Sequence, residues 1–549
     1  MLSVIEDTAT SSRRSDASCR TFGRLSRTVF RVLILNIIHS SWPCRLGCVF
    51  LYALVILTAP ADAVAFNPPQ TSAVLFRWRW NDIAYECQRW LGPQGYGAVM
   101  TSPPQAAAYL ATWYDVYQPV DYDRLDSAMG TEAEYQRMID TCHAAGVRVY
   151  SDVVTNQFAQ AHGTATDGRM WDANSLAYPS FSHDDFHSYC TIQDADYTSR
   201  DRTHVWDCRL LGLPDLKTDS ASVQDQIGRY LNHLIRMGID GVRFDAAKHM
   251  APADIAAFLS KTAKKTTAGE PLWVTQEVVP DGGVDPSTYF ANGMVNEFHF
   301  VYAMRQLFQN SNGLSLSQLE NVMGTPNAWG GSWYFMPSES ATVFVANWDT
   351  ERGTPTYPPS SLVASNHVTG VMNDTTDNKR FDLATILMLA WPYGRAVQIA
   401  SGFVFTDNDA GPPRESPYDS AGNPRINQSW DFIHRWSDIA NMVQFRSATD
   451  GEGVDFFTTG TADQIAFSRG RKGFVAINNA KTRWIATVQT GLPPGTYCNV
   501  AHGLLNAAKT ACNSDDLTIG TDGLAHIAIG ANDGTNIPAV ALYVKQTVR

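Results

Sequence analysis

The chain has 549 residues, 44% of them hydrophobic and 17% charged, with 15 Trp, 21 Tyr and 25 Phe, a composition that excludes a disordered or collagen-like polypeptide. Its formal charge of −12 and the lack of a long basic run argue against nucleic acid or an anionic membrane as a partner, because both require Lys and Arg to neutralise phosphate. Nine cysteines without a CxxC pair exclude a zinc ribbon or a thioredoxin-type site.

Residues 1–65 read as a basic leader and a secretory signal peptide. After a basic stretch ending at Arg45 come the apolar run Leu46 to Leu57 and small residues at A-x-A spacing, Ala61-Asp62-Ala63 and Ala63-Val64-Ala65. The run is shorter than the ~18 residues of a spanning helix. A second apolar patch, Val29 to Ile38, leaves a signal anchor as the alternative. Beyond residue 66, β-rich runs alternate with helical stretches. Strands are expected at Val74–Trp78, Gly97–Thr101, Val147–Val153, Gly241–Asp245, Leu272–Glu277, Asn296–Phe300, Val343–Asp349 and Ala396–Ala400. Between them, Val223, Ile227, Tyr230, Leu231, Leu234 and Ile235 recur at helical spacing. Eight such units predict an α/β fold, a (β/α)8 TIM barrel over 66–153 and 210–445, with its chemistry at the C-terminal strand ends. Residues 154–209, rich in His, Asp, Tyr and Ser, are too many for one helix and read as a subdomain inserted after the third strand. From 446 to 549, short strands separated by Gly, Asn and Pro turns predict a C-terminal all-β sandwich.

Three acids close predicted strands: Asp245, Glu277 and Asp349. Alone, each would serve as a helix cap. A charge at the end of an apolar strand costs desolvation, so three converging on one barrel mouth point to use. Glycoside hydrolysis needs this set: a carboxylate nucleophile, a protonated carboxylic acid, and further negative charge where an oxocarbenium ion develops.

At these residues the chain resembles the α-amylases of glycoside hydrolase family 13. The motifs are Asp152-Val-Val-Thr-Asn156-Gln157, Gly241-Val-Arg243-Phe-Asp245-Ala-Ala-Lys248-His249, Glu277-Val-Val and Phe344-Val-Ala-Asn347-Trp348-Asp349, with Leu213-Pro-Asp215-Leu as a further match. The similarity is to secreted animal and actinobacterial members and extends over about 66 to 549. It implies that Asp245 is the nucleophile, Glu277 the general acid and base, and Asp349 the residue that holds the distorted sugar. Arg243 would keep Asp245 ionised, and Lys248 and His249 would contact the sugar on the leaving-group side. Trp113, Tyr114, Tyr117 and Gln118, in the predicted loop after strand two, match a family substrate-contact stretch; flat aromatic faces suit the C–H faces of sugars. Two residues depart from the pattern: Gln157 and Trp348 stand where the family usually has histidines that contact the sugar at the cleavage site, which makes both substrate-contact candidates.

The resemblance also implies a structural Ca²⁺ between barrel and insert, held by the side chains of Asn156 and Asp215 and the backbone carbonyls of Trp206 and His249. It implies disulfides Cys87–Cys142, Cys190–Cys208 and Cys498–Cys512, in keeping with a secreted, extracellular protein. Cys19, Cys44 and Cys48 fall in the segment expected to be removed. Asn373-Asp-Thr375 and Asn427-Gln-Ser429 are glycosylation sequons. Chloride-activated members pair the strand-four arginine and the fourth-motif asparagine with a basic residue on strand eight. Here that position falls on Val397 or, with a one-residue slip, Gln398, and Arg395 is offset by two residues, ~6.6 Å along a strand. Chloride is therefore not expected as a cofactor. The expected activity is endo-hydrolysis of α-1,4-glucans by a retaining mechanism, in a monomer whose partner is its polysaccharide substrate and which, after signal removal, has no membrane association. The alternatives are a family transglycosylase or isomerase acting on short α-glucosides, and a degenerate carbohydrate binder.

Overall fold

The computed structural model describes residues 66–280, 283–326, 328–352, 359–364, 379–405 and 407–549. The expected signal peptide, Cys19, Cys44, Cys48 and the Asn373 sequon lie outside the described residues. Eight parallel strands close a barrel: β1 Thr71–Leu75, β2 Ala98–Thr101, β3 Arg148–Val154, β4 Gly241–Asp245, β5 Trp273–Gln276, β6 Met294–Asn296, β7 Ala341–Val343 and β8 Ala396–Ser401. They neighbour one another in chain order, and β8 pairs with β1. Every residue of β3 and β4 is buried, as expected of parallel strands packed on both faces.

Around the barrel lie α1 Trp80–Glu86, α2 Glu132–Ala144, α3 Ala221–Met237, α4 Pro252–Ser260, α5 Phe298–Gln309, α6 Arg380–Ala390 and α7 Ser437–Ala448. The α2 start is a capping box, Thr131 with Glu134. In α3 the six apolar residues expected to share a face are all buried. Among the described residues, the connection from β5 to β6 has only the short 3₁₀ turn Pro286–Tyr289 where the barrel pattern expects an α-helix. Pro280, Gly283, Pro286 and Gly293 interrupt any helix there.

Three strands differ from expectation. β1 ends at Leu75 because Arg77 turns left-handed, with φ 64°; Phe76 and Trp78 are buried beyond the strand. β6 gives way to α5 because the Glu297 carboxylate caps that helix, accepting from the His299 N–H at 3.1 Å, and the run from Phe298 is helical. β7 stops at Val343. Its apolar continuation, Phe344 to Ala346, is buried without pairing in a strand; Phe344 packs instead on Phe298 and Val301.

The chain between β3 and α3 carries the hairpin His162–Thr164/Met170–Asp172 and the Cys190–Cys208 disulfide. Phe158, Tyr178, Phe181 and Phe186 form its aromatic core, and Tyr122 packs on Phe158 and Phe181. It approaches the loop after β5 so closely that a Cβ on Gly283 would lie 1.6 Å from the Tyr197 carbonyl oxygen. Only glycine fits.

The C-terminal all-β domain comprises β9 Val454–Thr459, β10 Gln464–Arg469, β11 Gly473–Asn478, β12 Trp484–Gln489, β13 Gly495–Cys498, β14 Asp516–Ile519, β15 Leu524–Ile529 and β16 Ala539–Tyr543. A four-stranded antiparallel sheet, β9-β10-β11-β16, and the pairs β12/β15 and β13/β14 enclose Phe474, Trp484, Val488, Ile527 and Leu542. Cys498–Cys512 and Cys87–Cys142 are formed as well. Among the described residues, no helix is long and apolar enough to cross a membrane.

Cys87–Cys142 links the segment following α1 to α2 across 55 residues. Closing a loop of that size removes about 4 kcal/mol of unfolded-chain entropy. Replacing both cysteines by alanine is expected to lower the melting temperature by several degrees in differential scanning calorimetry while leaving activity at 25 °C intact. An unchanged melting temperature would show that this cross-link does not limit stability.

Candidate active site

Asp245 ends β4, and Arg243, two residues earlier, projects from the same strand face. Parallel pairing puts Asp152 of β3 opposite Arg243. The buried guanidinium, 2% exposed, joins three carboxylates. Its Nη1 donates to both Asp152 oxygens at 2.8 Å and to Asp245 Oδ1 at 3.2 Å, and its Nη2 lies 2.9 Å from Glu277 Oε2. Glu277 follows the last residue of β5. Immediately after Asp245, Ala246 adopts φ 48°, a conformation costly for a residue with a Cβ, and its N–H donates to Glu277 Oε2 at 2.9 Å. The strained turn thus holds the nucleophile and acid candidates in one frame.

Asp349 lies six residues past the end of β7, in a loop, where the sequence reading expects a strand end. It is held by Asn347, whose side-chain oxygen accepts from the N–H groups of Asp349 (3.1 Å) and Thr350 (2.9 Å). Burial and the Glu277 charge push Asp349 up to about 7; Arg243 and Arg352 pull it back only in part. Burial and the same neighbour also raise Asp245, and burial raises Asp152. Asp152, Asp245 and Asp349, buried among so few cations, therefore hold protons at a pH where isolated carboxyls have lost them.

Of the other expected residues, Tyr117, Gln157 and Trp348 touch this centre. Tyr117 donates from its hydroxyl to Asp152 Oδ2 at 2.9 Å, and Gln157 Nε2 donates to Asp245 Oδ2 and to the Tyr117 carbonyl, each at 3.3 Å. Trp113 and Tyr114 are partly exposed, whereas Gln118 is buried, its amide oxygen accepting from the Gln160 N–H at 3.3 Å. Trp348 stacks on Phe76, with centroids 4.9 Å apart and planes 5° off parallel. Lys248 and His249 sit in the 3₁₀ turn Ala247–His249, both buried. The Lys248 ammonium lies 4.5 Å from the centre of the Tyr197 ring, and His249 Nδ1 is 3.3 Å from the Val205 carbonyl.

Sequence reasoning gave Asp152 no role, although a carboxylate inside the apolar run of β3 needs a cation and Arg243 is that cation. It missed Arg352 entirely. This buried guanidinium lies 4.8 Å from the Trp113 ring centre and 4.1 Å from that of Phe405, and donates to the Trp348 carbonyl. Nothing in a polar loop sequence distinguishes it from a solvated arginine.

The seam with the insert holds a second polar cluster. Asn156 is buried with neither side-chain oxygen nor nitrogen partnered, and Asp215 Oδ1 is likewise buried and unpartnered. Asp215 Oδ2 meets His187 Nδ1 at 2.7 Å, yet burial pushes Asp215 up to about 7. Orphaned hard oxygens of this kind fit a cation such as Ca²⁺.

Residues 98–325 match the family described as "Alpha amylase, catalytic domain", and 457–537 match "Alpha amylase, C-terminal all-beta domain". The chain is 36% identical over 493 residues to the alpha-amylase of Tribolium castaneum, covering 86% of this chain and 94% of that one. It is 35% identical over 515 residues to Alpha-amylase 2B of Homo sapiens, covering 87% and 95%. A crystal structure of an Eisenia fetida alpha-amylase I variant with maltohexaose superposes with a TM-score of 0.76 at 31% identity, covering 87% of this chain and 98% of that one.

The charge balance makes a signed prediction. Arg243→Leu leaves buried carboxylates unpaired, a loss of about 3–5 kcal/mol when they are ionised. Since acidification protonates these raised carboxylates and removes their repulsion, the fall in melting temperature is expected to be larger at pH 8 than at pH 5. Equal falls at both values would show that the cluster is not governed by charge.

Proposed function

The chain belongs to the α-amylase family of glycoside hydrolases, and on that premise we propose that it cleaves internal α-1,4-glucosidic bonds of starch, glycogen and maltooligosaccharides with retention of configuration. The observation that carries this reading is the meeting of Asp245 and Glu277 on one guanidinium at the C-terminal ends of β4 and β5. Two carboxylates held on the two terminal nitrogens of Arg243 stand close, and retaining enzymes need such a close pair, about 5–5.5 Å apart. Asp245 in its ionised form, which Arg243 favours against burial and the neighbouring acids, attacks the anomeric carbon and forms a covalent glycosyl-enzyme. Glu277 gives its proton to the departing glycosidic oxygen, then takes one from the water that hydrolyses the intermediate. Asp349 holds the distorted ring and its developing positive charge. Trp113 and Tyr114 offer faces to flanking sugars, and Gln157 and Lys248 offer donors. Neither the transglycosylase nor the non-enzymatic reading is favoured: the acids are in place and the relatives are alpha-amylases. The signal-like leader and three disulfides support secretion.

Asn156 and Asp215 with the Trp206 and His249 carbonyls would hold the structural Ca²⁺, which would neutralise Asp215 and pin the insert to the barrel. For chloride we expect no comparable site among the described residues. Gln398, not Val397, lines the cavity of ≈10 Å³ that Arg243, Asn296 and Asn347 share, while Arg395 lines a separate groove with Arg148 and Glu339. That volume suits one water, and an anion there would face a single cation.

Three outcomes follow. Asp245→Asn and Glu277→Gln should each lose several orders of magnitude in kcat on soluble starch, ~4 kcal/mol or more of transition-state stabilisation, with circular dichroism unchanged; near-normal turnover in either would misplace the site. Chelation with EDTA should lower the melting temperature, since the ion binds only the folded form, and elemental analysis should find calcium; an unchanged melting curve with no calcium refutes this. Starch hydrolysis in buffer free of both nitrate and chloride should be unaffected by chloride then added at fixed ionic strength; a severalfold rise would refute this.

A further inference from the structure

Arg243 binds its carboxylates through in-plane N–H groups, but the faces of a guanidinium donate nothing and are poorly hydrated. The guanidinium carbon lies over the Trp348 indole ring, 5.1 Å from its centre. Trp348 is itself fixed: it stacks on Phe76, runs 11° from parallel to Tyr117 at 6.5 Å, and its carbonyl accepts from Arg352. We propose that Trp348 is a positioning residue that acts through Arg243, its π face holding the guanidinium in the plane from which it reaches Asp245 and Glu277, so that the indole sets the pH range of catalysis. This rests on the retaining-hydrolase reading above and assigns the fourth-motif tryptophan a role other than sugar hydrogen bonding.

Within ~6 Å a cation gains most from an aromatic face when desolvated, and Arg243 is buried. Indole does not ionise, so it steadies the cation without adding charge. Among the described residues, the charged and titratable groups that act on Arg243 and Asp245, besides Glu277, include Asp152 from β3, Tyr117 from the loop after β2 and Asp349 from the segment after β7, with Arg352 acting in turn on Asp349. None of these side chains is changed by substitution at 348. A nearby cation favours the ionised form of a carboxyl. If Arg243 tilts away when its π partner is lost, both Asp245 and Glu277 become harder to ionise. Both limbs of the kcat/KM profile, which report the free enzyme, then move to higher pH.

The test compares kcat/KM against pH on a soluble maltooligosaccharide for wild type, Trp348→Leu and Trp348→Phe, each verified as folded by circular dichroism. Trp348→Leu removes the π face and should raise both limbs by about 0.5–1 pH unit. Trp348→Phe keeps a π face but has no N–H, and should hold both limbs near the wild-type positions. Trp348→Met carries the comparison if Trp348→Leu does not fold. A uniform loss of kcat/KM with unmoved limbs in Trp348→Leu overturns the proposal and leaves Trp348 as a sugar contact or a filler. Limbs in Trp348→Phe displaced as far as in Trp348→Leu overturn it too, pointing to the indole N–H or bulk. A wild-type protein that cleaves no α-glucan at any pH removes the hydrolase reading itself, an outcome distinct from a normal wild-type profile with unmoved limbs in the variants.

Discussion

Everything in the active site turns on one buried guanidinium that must satisfy more carboxylate than it can neutralise. Arg243 touches Asp152, Asp245 and Glu277, and Asp349 adds a fourth negative group within its field. At low local dielectric, four ionised carboxylates would repel strongly, so the site keeps protons that water would remove. A retaining glycosidase needs that excess: one acid has to be charged to attack while another stays protonated to donate. Asp152 has no reacting partner in this scheme. It takes up Nη1 of Arg243 and so fixes where the remaining N–H groups point.

The fold makes such a cluster tolerable by gathering it from separate elements. Asp152 and Arg243 meet through the parallel register of β3 and β4, Glu277 arrives from the end of β5, and Asp349 from a loop folded by Asn347. Each element is anchored elsewhere, so repulsion among the acids cannot relax by moving one chain. The insert adds a wall: Tyr197 packs against Lys248 and His249, and its backbone comes so near Gly283 that a side chain there would collide. At this seam the side-chain oxygen of Asn156 and Oδ1 of Asp215 are buried without partners, where the proposed cation would sit.

Much of this was legible from sequence because strand ends in a parallel barrel converge by topology. Acids at the ends of β4 and β5 therefore declared a shared site before any coordinates. What failed failed for a physical reason. Hydrophobicity reports burial, not ladder pairing, so Phe344 to Ala346 reads as strand although it is a buried loop. The run from Phe298 reads as strand although the Glu297 cap makes it helix. Arg352 was invisible because its aromatic neighbours, Trp113 and Phe405, come from distant segments. The face of Gln398 could not be fixed without the β8 register, which sets it opposite Ser72 and leaves Val397 opposite Thr71.

The central claim, that Asp245 becomes covalently bonded to the sugar, is tested most directly by trapping the intermediate. The protein is incubated with a fluorinated, activated maltosyl donor whose glycosyl-enzyme breaks down slowly, then digested and mapped by mass spectrometry. The account predicts one glycosyl adduct, on Asp245, that is absent when Asp245→Asn is treated identically. An adduct on any other residue, or turnover of the donor with no adduct and a β-configured first product, would contradict it.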